Sequence, residues 1–249
     1  MTIAIITGGS RRLGRNAALH LAANKVDIIL TYRGNEAEAR TTAKAVEEKG
    51  ARAAIVQLDV AQPATFAAFA KSVSEILQGW GAAKFDYLVN NGGSGSYGSI
   101  AEAPEAQLDE MFAIHFKGPF LLTQALLPLI ADKGRILNIS SGLARFSLPG
   151  FAAYGSMKAA LETLTRYQAQ ELGPRGISVN ALAPGAIETD FGGGAVRDNK
   201  EINDRVANDT ALGRVGLPDD IGGAIAALLS PGTNWINGQR IEVSGGIYL

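Results

Sequence analysis

The sequence has no cysteine and only two histidines in 249 residues. The first absence excludes a disulfide framework and any thiolate metal site, and fits a reducing compartment, so a cytoplasmic location is expected. The second excludes a histidine-rich metal centre. A surplus of one charge sign is lacking too. The 23 Lys and Arg nearly balance the 24 Asp and Glu, for a formal net charge of −1, and the basic residues are scattered. A nucleic-acid surface needs a basic stripe, so no nucleic-acid partner is expected. No apolar run has the length of a membrane span, and MTIAIITGG carries no charged segment ahead of its apolar residues. Neither a signal peptide nor a membrane partner is therefore expected. Internal repeats and low-complexity linkers are absent as well.

Glycine is abundant, at 30 residues, and apolar residues make up 47% of the chain, enough for a large core. The glycines cluster where short apolar runs end. TIAIIT reads as a strand buried on both faces, followed at once by Gly8 and Gly9 and then by the helical pattern NAALHLAANK. VDIILTY is a second strand, ending at Tyr32-Arg33, and Glu36 to Lys49 an amphipathic helix closed by Gly50. ARAAIVQLDV is a third strand, ending at Asp59-Val60, before a helix from Pro63 to about Leu77. FDYLVN is the fourth strand, and a long helix is expected from Pro104 to Ile130. GRILNIS, GISVNALAPG and GQRIEVSGG complete the strands, with helices ending near Leu172 and opening at Pro218. Residues 188–210 are glycine-rich, then charged and loosely helical, as expected of a lid over a pocket. Alternating strands and helices predict an α/β fold, a doubly wound parallel sheet of Rossmann type over residues 1–249, with about seven strands and helices on both faces.

The chemistry concentrates between Ser141 and Lys158. Tyr154 and Lys158 are four apart and share one face of a helix. A phenol beside an ammonium is a proton donor whose pKa the cation would lower. Ser141 lies at the end of the fifth strand, and strand ends in open parallel sheets are where ligands bind. The chain has 6 Tyr, so one Tyr-x-x-x-Lys pair on its own is compatible with chance. The Gly8-Gly9 turn between strand and helix suits a pyrophosphate. No acid stands at the end of the second strand to hold a ribose hydroxyl. Arg33 stands there instead, with Arg11 and Arg12 in the glycine turn. Three guanidinium groups suit a 2′-phosphate, which favours NADP(H); simple surface arginines are the other reading. Asn90 to Gly93 either passes close to a cofactor ribose or forms a flexible loop. Phe112, Phe116 and Phe120 form a helical stripe, a packing face or an interface. Pro119 has no N–H, so the carbonyl of His115 loses its helical donor.

Taken together and in this order, TGGSRRLG, LDV, NNGG, GRILNISS, YGSMK, ISVNALAPG and GQRIEVSGG resemble the short-chain dehydrogenase/reductase family across nearly the whole chain. Within it the chain is similar to 3-oxoacyl-carrier-protein reductases. The resemblance implies NADPH-dependent reduction of a ketone, a small-molecule carbonyl substrate and a homotetramer. It implies Ser141, Tyr154 and Lys158 as the catalytic set. Gly8, Ser10, Arg11, Leu13 and Gly14 would line the diphosphate and adenosine phosphate, with Arg33 at the 2′-phosphate. Asp59 and Val60 would meet the adenine, Asn90 and Gly92 a ribose, and Pro184, Gly185, Ile187 and Thr189 the nicotinamide end.

The chain departs from the pattern at two positions. Arg12 stands where the family has a glycine, and His115 where it has the asparagine of a Ser-Tyr-Lys-Asn tetrad. In the family that asparagine's backbone carbonyl holds a water that feeds protons to the lysine, a role that the Pro119 effect would preserve at His115. Pteridine reductases carry an arginine at the first position, which makes pteridine reduction the alternative activity. However, an aspartate commonly replaces their serine, and Ser141 is intact here. A non-catalytic NADP(H) sensor is the alternative from outside enzymology, and it would have no use for the Tyr154 proton donor.

Overall fold

The computed structural model describes residues 1–249. Seven strands form one parallel sheet: β1 (Thr2–Ile6), β2 (Val26–Tyr32), β3 (Ala53–Gln57), β4 (Phe85–Asn90), β5 (Ile130–Ile139), β6 (Ser178–Pro184) and β7 (Arg240–Val243). They lie in the order β3-β2-β1-β4-β5-β6-β7, with every neighbouring pair parallel. The order reverses between β1 and β4, and ligands of open parallel sheets sit beyond the strand ends at such a point. Both glycine-rich turns, after β1 and after β4, open there.

The period of two along β1 divides the core. Ala4 and Ile6 pack with α1 (Arg12–Ala23), α2 (Glu36–Glu47) and α9 (Pro218–Leu228), through Leu21, Val46, Ile221 and Ile225. Ile3 and Ile5 face the opposite layer. It contains α3 (Phe66–Gly79), α5 (Gly118–Leu126) and α6 (Ala152–Leu172), with Phe69, Leu77, Leu122 and Ala169. Both faces are thus covered, as the continuous apolar strands require. No helix is long and apolar enough to cross a membrane.

The helix expected from Pro104 to Ile130 is in fact three segments. These are α4 (Glu105–Phe112), a π-turn over Ala113–Lys117, and α5. In the π-turn the Gly118 N–H donates to the Ala113 carbonyl instead of to Ile114, and Pro119 has none to give His115. Pro128 prevents α5 from continuing, and Ile130 already pairs with Phe85 as the first residue of β5. A register shift between Phe85 and Tyr87 and a positive φ at Lys133 (64°) mark the irregular start of that strand. Phe112 and Phe120 are each 43% exposed, so the phenylalanine stripe is a surface of the chain and not part of its core. The segment 188–210 is built of a distorted turn (Phe191–Gly194), α7 (Ala195–Asp198) and α8 (Lys200–Asn208).

Candidate active site

Three successive residues at the end of β5 are tied to α6. Asn138 Nδ2 donates to Thr165 Oγ1 (2.9 Å) and Gln168 Oε1 (3.0 Å). Lys158 Nζ donates to the Ile139 carbonyl (2.7 Å). Ser140 Oγ donates to Glu162 Oε1 (2.6 Å), which also accepts from Arg240 Nε (2.8 Å). These bonds fix the helix that carries Tyr154 and Lys158 against the strand that ends in Ser141. Gly155 brings the turn after Ser141 close: a Cβ there would lie 2.8 Å from the Leu143 carbonyl oxygen. Ser141 caps that turn, its Oγ accepting from the Leu143 N–H (3.2 Å). The three residues singled out from the sequence therefore meet at one strand end.

Tyr154 and Lys158 are both buried. Burial pushes the Tyr154 phenol up to about 12, against a smaller lowering by the Ser141 hydroxyl. The expected lowering by Lys158 is not found. Burial brings the Lys158 ammonium itself down to about 7, with Glu162 pulling the other way, and its Nζ is turned to the Ile139 carbonyl. His115, in the π-turn, meets the Tyr154 ring edge-on with centroids 5.0 Å apart. Its Nε2 lies 2.8 Å from the Ser94 carbonyl oxygen. Burial first, and Lys158 second, hold its pKa down to about 3.

The glycine turn after β1 is braced by a residue that the sequence reading passed over. Asn91 Nδ2 donates to the carbonyls of Thr7 (2.9 Å) and Gly8 (3.2 Å). Thr7 Oγ1 accepts from the N–H groups of Asn91 (2.9 Å) and Gly92 (2.8 Å). Gly8 has φ +61°, and a Cβ on Gly14 would lie 2.3 Å from the Gly8 carbonyl oxygen. The turn is thus a cradle that only backbone can line, as a dinucleotide phosphate site requires. Beside it Ser10, Arg11, Arg15, Asn35 and Thr41 line a groove of about 360 Å³. Arg33 is exposed at the end of β2. A Cβ on Gly92 would meet the Val60 side chain at 3.3 Å, so Val60 borders the same space, and Asp59 Oδ1 caps the Ala61 N–H beside it (2.9 Å). The residues present fit a phosphorylated dinucleotide.

Two side-chain arrangements bear on the expected cofactor contacts. Asn90 does not turn its side chain to the cleft. Its Nδ2 donates inside the sheet to Asn138 Oδ1 (2.8 Å) and Thr123 Oγ1 (3.3 Å), because a buried amide must find partners. Arg11 and Arg12 are drawn to one carboxylate, that of Asp190. Arg12 has φ 52°, a conformation that a glycine adopts freely. Its Nε pairs with the Asp190 carboxylate, its Nη2 donates to the Asp190 carbonyl (3.2 Å), and Arg11 Nη1 reaches the same carboxylate (3.3 Å). Arg12 holds the Asp190 carboxyl below its usual range. No sequence pattern marked Asp190, whose partners lie 179 and 178 residues away.

Past Asp190, Phe191 lies 5.9 Å from the Tyr154 ring centroid and at the same distance from the Arg12 guanidinium. Thr189 Oγ1 accepts from the Phe191 N–H (3.2 Å). Pro184 and Gly185 close β6, where the Gly185 N–H donates to Val243 (3.0 Å), and Ile187 bridges to Gly216. The open side of the cleft is aromatic. Tyr97 and Phe151 pack edge-on at 5.6 Å, and Phe146 and Tyr248 at 4.7 Å. Glycines seat three of these rings. Gly95, Gly142 and Gly150 have no Cβ where one would lie 2.8 Å from Phe191, 2.7 Å from Phe146 and 2.2 Å from Tyr97.

Comparison with known proteins agrees with this geometry. Residues 8–248 match the family model described as enoyl-(acyl carrier protein) reductase. A 3-oxoacyl-[acyl-carrier-protein] reductase of Staphylococcus aureus is 34% identical, over 99% of this chain and 98% of its own. Among solved structures, the promiscuous reductase LugOII, which catalyses keto-reduction at C1 during lugdunomycin biosynthesis, superposes with a TM-score of 0.94. It is 36% identical, over 100% of this chain and 98% of its own. The angucycline C-6 ketoreductase LanV, solved with bound NADP, gives 0.93 at 32% identity, over 99% of this chain and 95% of its own.

Proposed function

The chain belongs to the short-chain dehydrogenase/reductase family, NAD(P)-dependent enzymes that act on a carbonyl or its alcohol, and from that premise we propose that it reduces a ketone with NADPH, using Tyr154 as proton donor. The observation that carries this reading is the buried phenol at the end of β5, between Ser141 and Lys158. A phenol held near 12 keeps its proton at neutral pH and releases it only to a strong base, such as the alkoxide that forms on a reduced ketone. That favours the reductive direction.

When bound in this cleft, NADPH would supply the hydride. Tyr154 gives its O–H proton to the developing alkoxide. Ser141 donates a hydrogen bond to the same oxygen and orients the carbonyl. Lys158, whose ammonium burial brings down toward neutrality, stabilises the phenolate that Tyr154 becomes and returns a proton to it. Gly8, Ser10, Arg11, Leu13 and Gly14 would hold the diphosphate side of the cofactor, and Arg33 with the groove beside Arg11 its 2′-phosphate. Gly92 and Val60 would border the adenosine half, and Pro184, Gly185, Ile187 and Thr189 the nicotinamide. NADP bound to the LanV ketoreductase supports the cofactor choice.

The walls formed by Tyr97, Phe151, Phe191 and Leu143 support a flat, apolar ketone as substrate. Assembly as a homotetramer belongs to the same reading, supported by the exposed rings of Phe112 and Phe120.

NADPH consumption against an aryl ketone, a 3-oxoacyl thioester, a 3-oxoester and a dihydropterin tests the proposal. NADPH-dependent turnover of a ketone is expected, led by the aryl ketone. Tyr154→Phe should lower it by roughly 10²–10⁴-fold without loss of NADPH binding. Arg33→Ala should narrow the preference for NADPH over NADH. Full turnover in Tyr154→Phe would reject the assignment, and turnover of the dihydropterin alone would move the protein to the pteridine reductases.

A further inference from the structure

Tyr154, Lys158 and Glu162 follow one another at four-residue intervals along α6, so the three share one face of the helix. The side chain of Glu162 is only 12% exposed, so solvent screens its charge poorly. Its Oε1 accepts from Ser140 Oγ at the end of β5 (2.6 Å) and from Arg240 Nε in β7 (2.8 Å). Ser140 immediately precedes Ser141, and Arg240 Nη2 approaches the Ser141 carbonyl oxygen at 3.5 Å. One carboxylate oxygen thus joins the helix of the proton donor to the strand end that presents Ser141.

Charges of alternating sign run outward from this point. Arg240 Nη1 donates to Glu242 Oε2 (2.9 Å), and Arg145 grips the same carboxylate with Nε (2.8 Å) and Nη2 (3.0 Å). The row ends where Arg145 donates to the carbonyls of Ile247 (2.8 Å) and Tyr248 (3.0 Å). Arg240 divides its donors between two carboxylates, so it offsets only part of the Glu162 charge. The remainder acts on Lys158. That residue is buried, and its Nζ donates to the neutral Ile139 carbonyl. Burial favours the neutral amine, and Glu162 opposes that effect. The other titratable groups around Lys158 supply no such counter-charge. His115 faces it from the π-turn and is held neutral, and Tyr154 keeps its proton. Glu242 is engaged by Arg240 and Arg145, and the acids of α4, Glu105, Asp109 and Glu110, are exposed.

We propose that Glu162 is a positioning residue for the proton donor: its carboxylate supplies the negative charge that offsets the buried Lys158 ammonium, while it ties the Ser140–Ser141 end of β5 to α6. The inference rests on the reading of Tyr154 and Lys158 as the proton-transfer pair. Glu162 acts through Lys158 and Ser140, and not on the reacting atoms.

The first test is independent of turnover. Lysine labelled with ¹³C at Cε in the full protein reports each ammonium by its titration, and Lys158→Met assigns the Lys158 signal. In the native protein that signal should titrate at about 7. Glu162→Gln keeps an oxygen for Ser140 and Arg240 but removes the charge, and should move the titration down by at least about half a pH unit. Ser140→Ala removes the bond and keeps the charge, and should leave the titration in place. An unmoved titration in Glu162→Gln, or a native Lys158 that titrates near the ordinary ~10.4, would overturn the proposal.

The second test is kinetic. If the ammonium form of Lys158 is the active one, kcat falls as pH rises through its titration. Glu162→Gln should then show kcat lowered about threefold or more at about pH 8 and close to native at about pH 6, with KM for NADPH unchanged. Glu162→Asp restores the charge and should return the profile toward the native one. The same fractional loss of kcat at every pH would mean that Glu162 only braces the fold. If Glu162→Gln alone fails to fold, the double variant Glu162→Gln/Arg240→Gln removes both members of the pair and carries the same expectations. Absence of ketone turnover in the native enzyme would sink the ketone-reductase reading and leave the Lys158 titration as the test of Glu162.

Discussion

Two surfaces meet at the Tyr154 phenol, and they are built from different materials. Toward the sheet lie Lys158, His115, Asn138 and Asn90, all buried. Short polar bonds among backbone and side chains hold them, as in Lys158 to Ile139 and Asn138 to Thr165. Toward solvent lie Tyr97, Phe151 and Phe191, held by ring contacts over glycines. There Tyr97 is 74% exposed, and Gly192, Gly193 and Gly194 all have positive φ. Hydrogen bonds fix direction as well as distance, whereas apolar ring contacts tolerate sliding and exchange. The inner surface is therefore the more rigid of the two. The outer surface can change without disturbing it.

This contrast is sharpest at Gly14. A Cβ there would press on the Gly8 carbonyl at 2.3 Å and on Asn91 Nδ2 at 2.6 Å, and neither can yield without loosening the turn. Gly14→Ala should cost roughly 1–3 kcal/mol of stability. Misplacing the turn should lower kcat/KM for NADPH on the order of 100-fold. Near-native kinetics would show that the inner surface is as tolerant as the outer.

Lys158→Met comes next. The ammonium titrates at about 7 in the fold against an ordinary 10.5. Between those values the unfolded chain binds more protons than the folded one, so this group makes the native enzyme more stable as pH rises from about 7 to 10, with its burial penalty fully present below 7. In Lys158→Met that dependence should vanish, with Tm near pH 6 equal to or above the native value while turnover is lost. A lower Tm at that pH would mean that the bond to Ile139 outweighs the buried charge. The smallest effect belongs to the outer surface. Tyr97→Ala should raise KM for an aryl ketone a few-fold, as expected for one stacking contact of about 0.5–1.5 kcal/mol, and leave kcat and Tm in place. A loss of kcat would merge the two surfaces into one.

The inner surface was also the more legible. Ser141, Tyr154, Lys158 and the Gly8–Gly14 turn could be read because their spacing follows from a strand end, a helix turn and a backbone cradle. Asn91 was within reach, since an amide next to a glycine turn has few other partners. The direction of the Tyr154 pKa was not, because the sequence gives the distance along the helix and not the depth of burial. The break of the long helix into a π-turn escaped as well. Pro119 announced a missing donor, but the shift to the Gly118–Ala113 bond depends on tertiary packing. Asp190 and the ring seats at Gly95, Gly142 and Gly150 belong to the outer surface, where residues distant in sequence meet through side chains alone.

The pairing of Arg11 and Arg12 with Asp190 has a consequence for mass action. A carboxylate tethered in the same chain is an anion at high effective concentration, and it draws on guanidinium groups beside a phosphate cradle. Any anionic ligand that needs those groups competes with it, and the observed affinity is the intrinsic one scaled by the fraction of molecules in which the pair is open. Asp190 directly precedes Phe191, whose ring lies 5.9 Å from that of Tyr154. The anion that competes at the phosphate cradle thus stands one residue from the ring beside the candidate proton donor.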